Sequence, residues 1–198
     1  NFTTATNVYN TAVGMNAGIN VTTGTFNVLI GGLAGDALTD ADYNIGVGYA
    51  ALGADTLGSR STAVGHNALA QQNFTTATDA YNTAVGMLAG YSVTTADSNT
   101  LIGGLAGDAL TVGGDNVAVG RDALGADTKG SSSIAIGRNA LAAQNFTTAT
   151  TAYNVAIGRS AGASVTTGVQ NTFIGGLSGT SITEANQNVA VGHGTLDA

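Results

Sequence analysis

An internal repeat constrains this chain more than any other feature of its sequence. Residues 1–72 align without a gap with residues 73–144, and residues 145–198 begin a third copy. Within these copies the pattern Asn/Ser-x-x-Val/Ile-Gly occurs eleven times, with spacings of 17, 17, 17 and 21 residues in a recurring order. Repeats of this kind are typical of solenoids, in which no repeat buries a core alone and each packs on its neighbours.

Each repeat defines one coil, numbered here from its Asn or Ser at position 1. Position 2 is β-branched and position 4 is Val or Ile in all eleven coils, whereas position 3 is usually Ala. β-Branched residues favour strands, and alternate residues of a strand share a face, so positions 2 and 4 lie together. We predict that this Val/Ile ladder lines the core and that the Ala-rich position 3 faces neighbouring chains.

Two further positions are nearly invariant among the coils. Glycine at position 5 predicts a turn with positive φ or a packing too tight for a Cβ. These turn glycines are Gly14, Gly31, Gly48, Gly65, Gly86, Gly103, Gly120, Gly137, Gly158, Gly175 and Gly192. Asn at position 1 predicts a structural ladder, because stacked amides hydrogen-bond along a parallel stack. The ladder residues are Asn10, Asn27, Asn44, Asn82, Asn99, Asn116, Asn154, Asn171 and Asn188.

The repeat and its strand pattern predict an all-β fold, a parallel β-solenoid of about eleven coils of 17 or 21 residues. Abundant Gly and Thr, and the lack of an i, i+3, i+4, i+7 apolar stripe, argue against helices. By this interpretation residues 1–198 form a single repeat domain. Since the chain begins within a repeat, we expect it to be a piece of a longer fibre.

Composition excludes several classes of partner. The formal net charge is −7 and Lys and Arg together number five, whereas nucleic-acid binding requires a dense cationic surface. No apolar stretch approaches the roughly 20 residues that span a bilayer, so we expect no membrane insertion in this segment. The chain has no Cys, and an extracellular protein of this sequence must be stable without disulfides.

The motifs NTAVG, NVAVG and SIAIG, each followed by x-x-Ala, resemble the head repeats of trimeric autotransporter adhesins and the NTAVG repeats of phage tail fibres. The resemblance covers the whole chain. It implies a left-handed parallel β-roll, three chains wound side by side as a homotrimer, and a structural or adhesive role at a virion or cell surface. The adhesin repeat is shorter and lacks a regular expansion in every fourth coil, which favours a viral fibre over a bacterial adhesin head.

Candidate catalytic groups are few. The only His residues, His66 and His193, lie seven coils apart at position 6, and the Asp residues scatter over different coil positions. A nucleophilic triad or a pair of catalytic carboxylates needs convergent groups. We therefore expect no enzyme, no metal and no cofactor, with a carbohydrate-depolymerising tailspike as a remote alternative.

Two surface columns suggest other ligands. Ice binding needs a flat array of outward Thr, but the VTT triplet recurs only every fourth coil, and we predict that the Thr at position 2 points inward. Ice binding is therefore a second remote alternative. Arg121, Arg138 and Arg159 occupy position 6 of three consecutive coils, a short basic column that we interpret as solvated arginines.

Each 21-residue coil carries its extra residues in the stretch that contains NFTTAT. Because neighbouring coils have 17 residues, we predict that residues 74–80 and 146–152 project from the stack, and that residues 1–8 end a third such segment. Loops on a rigid scaffold often carry binding. The candidate binding residues, for a surface glycan or protein, are Phe74, Thr75, Thr76, Thr78, Phe146, Thr147, Thr148 and Thr150. The alternative is that both Phe rings fold inward and fill a wider coil.

The same segments begin with the glycosylation sequons at Asn1, Asn73 and Asn145, each followed by Phe and Thr. Glycan attachment there is expected only in a host that performs it.

Overall fold

The computed structural model of the chain describes residues 8–197, and every regular element among them is a β-strand. Eleven three-residue strands occupy positions 2–4 of successive coils: Thr11–Val13, Val28–Ile30, Ile45–Val47, Thr62–Val64, Thr83–Val85, Thr100–Ile102, Val117–Val119, Ile134–Ile136, Val155–Ile157, Thr172–Ile174 and Val189–Val191. Four two-residue strands form two further parallel pairs: Gly58–Ser59 with Thr78–Asp79, and Gly130–Ser131 with Thr150–Thr151.

The eleven longer strands form one parallel sheet in chain order. Each strand pairs with the equivalent residues of the next coil, as in Thr83↔Thr100. The register also holds across a 21-residue coil, where Thr62 pairs with Thr83. This is the parallel β-solenoid predicted from the sequence, with coils about 4.8 Å apart and a length of about 50 Å.

The two faces of the sheet are the reverse of the prediction. Position 3 points into the coil, and from the second coil onward its residues are buried. Positions 2 and 4 point outward: Ile102, in the middle of the stack, is 39 % exposed. The prediction of a Val/Ile ladder in the core is therefore wrong, and so is the assignment of position 3 to an outer surface.

The small cross-section of the coil explains this inversion. Position 3 shares the interior with positions 9 and 12, and four coils bury a Leu at position 9: Leu52, Leu69, Leu124 and Leu141. Where position 3 is larger than Ala, the neighbouring position 9 is Gly; a Cβ on Gly107 would lie 2.7 Å from Leu101 Cδ2. Interiors pack at near-crystalline density, so a branched side chain at both positions 2 and 4 has no room inside.

The position-5 glycines hold a backbone conformation that other residues rarely adopt. Their φ angles lie between 126° and 142°. A Cβ on Gly86 would sit 2.5 Å from the carbonyl oxygen of Gly103 in the next coil. Both the turn and the close approach of successive coils therefore require glycine at this position.

Candidate functional site

Residues 8–197 contain no pocket and no group of three His, Asp or Glu side chains that could hold a metal. His66 and His193 are both exposed. No helix of sufficient length and apolar character to cross a membrane occurs in this described part. The candidate sites are therefore the long outer surfaces of the stack and the NFTTAT segments.

The NFTTAT segments place their aromatic rings inside the coil. Phe74 and Phe146 are 6 % and 5 % exposed. The ring of Phe74 covers Gly58, where a Cβ would lie 2.8 Å from its Cδ2. The expectation that these rings are exposed to contact a sugar is therefore wrong, and each ring instead fills the wider coil.

A short arc remains outside the stack. The Leu57 N–H donates to the Phe74 carbonyl oxygen (3.1 Å), and the Thr78 N–H donates to the Leu57 carbonyl oxygen (3.4 Å), so the chain leaves and rejoins the stack around one residue. Residues 75–77 between these bonds are exposed, whereas Thr78 is half-buried in its strand pair with Gly58. The second copy repeats this arrangement, with Thr147 and Thr148 exposed and Thr150 half-buried. The predicted third segment falls almost wholly on residues 1–7, outside the described residues.

The asparagine column joins consecutive coils through the backbone. Asn27 is fully buried, its Nδ2 donates to the Ala41 carbonyl oxygen (2.7 Å), and the Asn44 N–H donates to its Oδ1 (2.9 Å). The same two bonds recur at Asn82 and Asn154. Each of these side chains satisfies one carbonyl of its own coil and one amide of the next, which is a structural role.

Ser replaces the ladder Asn in the 21-residue coils, and a buried Gln compensates for the shorter side chain. Gln72 Nε2 donates to Ser61 Oγ (3.1 Å) and to Asp55 Oδ2 (2.5 Å), and Gln72 Oε1 accepts from Asn82 Nδ2 (2.9 Å). The equivalent network in the second copy consists of Asp127, Ser133, Gln144 and Asn154.

The same carboxylate anchors the aromatic plug. Asp55 Oδ1 accepts the backbone N–H groups of Gly58 and Phe74, both at 3.0 Å. Asp55 and Gln72 were missed in the sequence, although a signal was present. Position 12 is otherwise Val, Leu or Ile, and polar residues enter it only beside and within the long coils.

The outer face, defined as positions 2 and 4 of the sheet, is uncharged along its whole length. It remains partly or largely exposed in every coil. Its position-4 residues are Val13, Ile30, Val47, Val64, Val85, Ile102, Val119, Ile136, Ile157, Ile174 and Val191. An apolar strip of this extent has no covering element within residues 8–197.

The leading flank is the column of residues that immediately precede position 1. Its members are Tyr9, Phe26, Tyr43, Arg60, Tyr81, Ser98, Asp115, Ser132, Tyr153, Gln170 and Gln187. The rings of Tyr9 and Phe26 stack at 5.1 Å, and those of Phe26 and Tyr43 at 5.0 Å. The Arg60 guanidinium continues the stack 4.8 Å from the Tyr43 ring centroid, and its Nε lies 2.9 Å from Asp79 Oδ1.

The trailing flank is the column at position 6, on the other side of the outer face. Its members are Met15, Gly32, Tyr49, His66, Met87, Gly104, Arg121, Arg138, Arg159, Gly176 and His193. Tyr49 and His66 stack with ring centroids 5.5 Å apart. The three arginines are exposed in consecutive coils, and Arg121 contacts its own neighbour Asp122 at 3.3 Å.

A threonine ladder at position 13 was also missed in the sequence. Position 13 is Thr in eight of ten coils and Asn in the two long ones. Thr hydroxyls there donate to the next coil, as Thr94 Oγ1 does to the Thr111 carbonyl oxygen (3.0 Å). In the long coils Asn73 and Asn145 take this place, each accepting a Thr hydroxyl at 3.1 Å, and only Asn145 of these two sequon residues is exposed. Asn1 lies outside the described residues.

One carboxyl has a shifted titration. Burial raises the pKa of Asp108 above its ordinary value of 3.8, while a hydrogen bond from the backbone opposes the shift and the charge of Asp122 adds to it. Because no His lies at this position of any coil, we assign Asp108 no acid–base role.

No protein-family model, curated protein or solved structure matches this chain.

Proposed function

We propose that this chain is a segment of an extracellular fibre on a virion or cell surface, in which three copies associate side by side. The outer face carries this proposal, because it exposes Val, Ile and Thr along the entire stack. Large exposed apolar patches generally mark interaction surfaces. The number of chains and the phage-fibre setting follow the resemblance of the NTAVG-type motifs, with a bacterial adhesin head as the alternative.

A copy of the same chain is the occupant that matches the outer face. Its side chains repeat every ~4.8 Å over ~50 Å, and a partner with the same period interdigitates with them as paired sheets do. The face with its two flanks measures about 50 Å by 20 Å, or roughly 1,000 Å² per copy, against the ~800 Å² per partner of a standard interface. Closed symmetric oligomers are the usual result of such self-complementary surfaces.

The adhesive part of the role is assigned to the exposed arcs, residues 75–77 and 147–149. They lie four coils apart, about 19 Å along the stack. Their Thr hydroxyls and free backbone groups are the polar atoms available to a host glycan or protein. In a fibre of several chains these arcs form bands around the shaft at regular intervals.

Two substitutions in one coil test the association. Ile102 on the outer face is 39 % exposed and Val112, outside that face, is 44 % exposed. We expect Ile102→Glu to dissociate the particle in sedimentation velocity, because each interface would bury an unpaired charge, and Val112→Glu to leave it intact. Equal sedimentation of both variants would remove the outer face from the interface.

The threonine ladder favours one second candidate function, ice binding. Its hydroxyls are held in one orientation by bonds to the next coil, so methyl and hydroxyl groups repeat regularly along the stack. A rigid array of this kind can order water without further loss of side-chain entropy. Thermal hysteresis that is abolished by Thr111→Lys but kept in Val112→Lys would support it, and absence of hysteresis in the unaltered chain would eliminate it.

A further inference from the structure

We infer that the copies associate in parallel and coil for coil, with the leading flank of one chain against the trailing flank of the next. This inference rests on the side-by-side association proposed above. When identical chains are related by rotation about an axis along the stack, one edge of a face meets the opposite edge of its neighbour. The two flanks must then be complementary at every level.

The first five coils match in apolar character. In coil-for-coil register, Tyr9 faces Met15, Tyr43 faces Tyr49, and Tyr81 faces Met87. All six side chains are exposed, with Tyr9 and Met15 among the most exposed of the chain. Thioether–aromatic and aromatic–aromatic contacts are favourable beyond the area they bury. At the second level the bulky Phe26 faces Gly32, which has no side chain to obstruct it.

The character of both flanks changes at the same height. From the sixth coil the leading flank becomes polar, and from the seventh the trailing flank presents its three arginines. The same register places Asp115 opposite Arg121 and Tyr153 opposite Arg159, one ion pair and one cation–π pair. Like charges stacked in neighbouring coils are destabilising, and these partners relieve that repulsion.

The antiparallel arrangement lacks this complementarity. There, like flanks meet and the first coil faces the eleventh, so Arg138 lies opposite His66 and Arg121 opposite Met87. No Arg then meets a carboxylate. One level is unfavourable in the parallel register, where Arg60 faces His66, but Arg60 already has Asp79 as its partner.

Engineered disulfides test the register, because the chain has no Cys of its own. Ser132→Cys and Arg138→Cys lie at the same level on opposite flanks, and together they should give interchain disulfides that close at the full oligomer. Ser98→Cys with Arg159→Cys is the control, offset by three coils or ~14 Å, well beyond the ~7 Å limit between bridged Cα atoms. Crosslinking of the control in place of the matched pair would overturn the inference.

Charge reversal tests the same contact without cysteines. We expect Asp115→Arg and Arg121→Asp each to weaken association roughly tenfold, and the double variant to recover it, since the pair is restored in reverse. Additive losses would contradict the pairing. If the unaltered chain sediments as a monomer, the proposed association fails together with the register; if it associates but neither test gives the matched result, only the register is overturned.

Discussion

At the scale of single residues, the stack depends on positions where a side chain has no room. Position 5 combines a φ near 130° with a backbone contact from the next coil. Position 9 alternates between Leu and Gly according to the bulk of position 3. Such positions explain how a chain with so few large residues still forms a dense interior.

We predict that Gly86→Ala destabilises the fold by about 3 kcal/mol or more, because the new Cβ meets Gly103 and φ is +141°. Gly104→Ala is the matched control, since the nearest atom to its Cβ would be the Met87 carbonyl oxygen at 3.9 Å. Denaturant unfolding of the two variants measures the difference. Equal midpoints would contradict the assigned role of position 5.

Asp108 provides a prediction about pH. Its pKa is raised in the folded state by burial, so the folded state binds this proton more tightly than the unfolded chain does. Its contribution to stability is therefore greatest below pH 3.8 and is lost as pH rises through the folded-state pKa. We expect Asp108→Asn to raise the melting temperature at neutral pH and to make little difference below pH 3.8. A larger gain at the acidic end would show that the sign is wrong.

At the scale of the coil, the sequence predicts the strand at positions 2–4, its parallel register and the constant glycine. It does not predict which face of the strand is inside. Alternation identifies the residues that share a face, as with Val85 and Thr83, but the choice of inner face depends on volume. That volume is set by Leu at positions 9 and 12, which come from other parts of the coil.

The candidate site was predicted less completely than the fold. The Phe residues of the NFTTAT segments were taken for ligand contacts because the extra residues were expected to leave the stack together. Three of them do, whereas Phe74 stays inside, where its N–H and the Gly58 N–H share the Asp55 carboxylate. The threonine ladder was missed because adjacent triplets were compared instead of equivalent positions of successive coils.

We predict that Asp55→Asn destabilises the long coil by about 2 kcal/mol, because the amide cannot accept the Gln72 Nε2–H without turning a donor towards two backbone N–H groups. Asp36→Asn, at a half-buried surface position, is the control. Hydrogen exchange at the Phe74 amide should accelerate only in the first variant. Unchanged exchange there would show that the network does not hold the plug.

At the scale of the whole molecule, the chain is a rod with one apolar side. Its core of Ala, Leu and Val is complete within each coil stack, and the outer face is a second apolar surface that the single chain leaves in water. The flanks beside it change character together, from aromatic and Met in the early coils to polar and Arg in the later ones. Association of copies accounts for both features.

The most direct test of this account is the mass of the unaltered chain in solution, measured by sedimentation equilibrium over a range of micromolar concentrations. We predict a single elongated particle of three times the 19.3 kDa chain mass that does not dissociate on dilution across this range. A folded monomer at every concentration would contradict the assignment of the outer face to association.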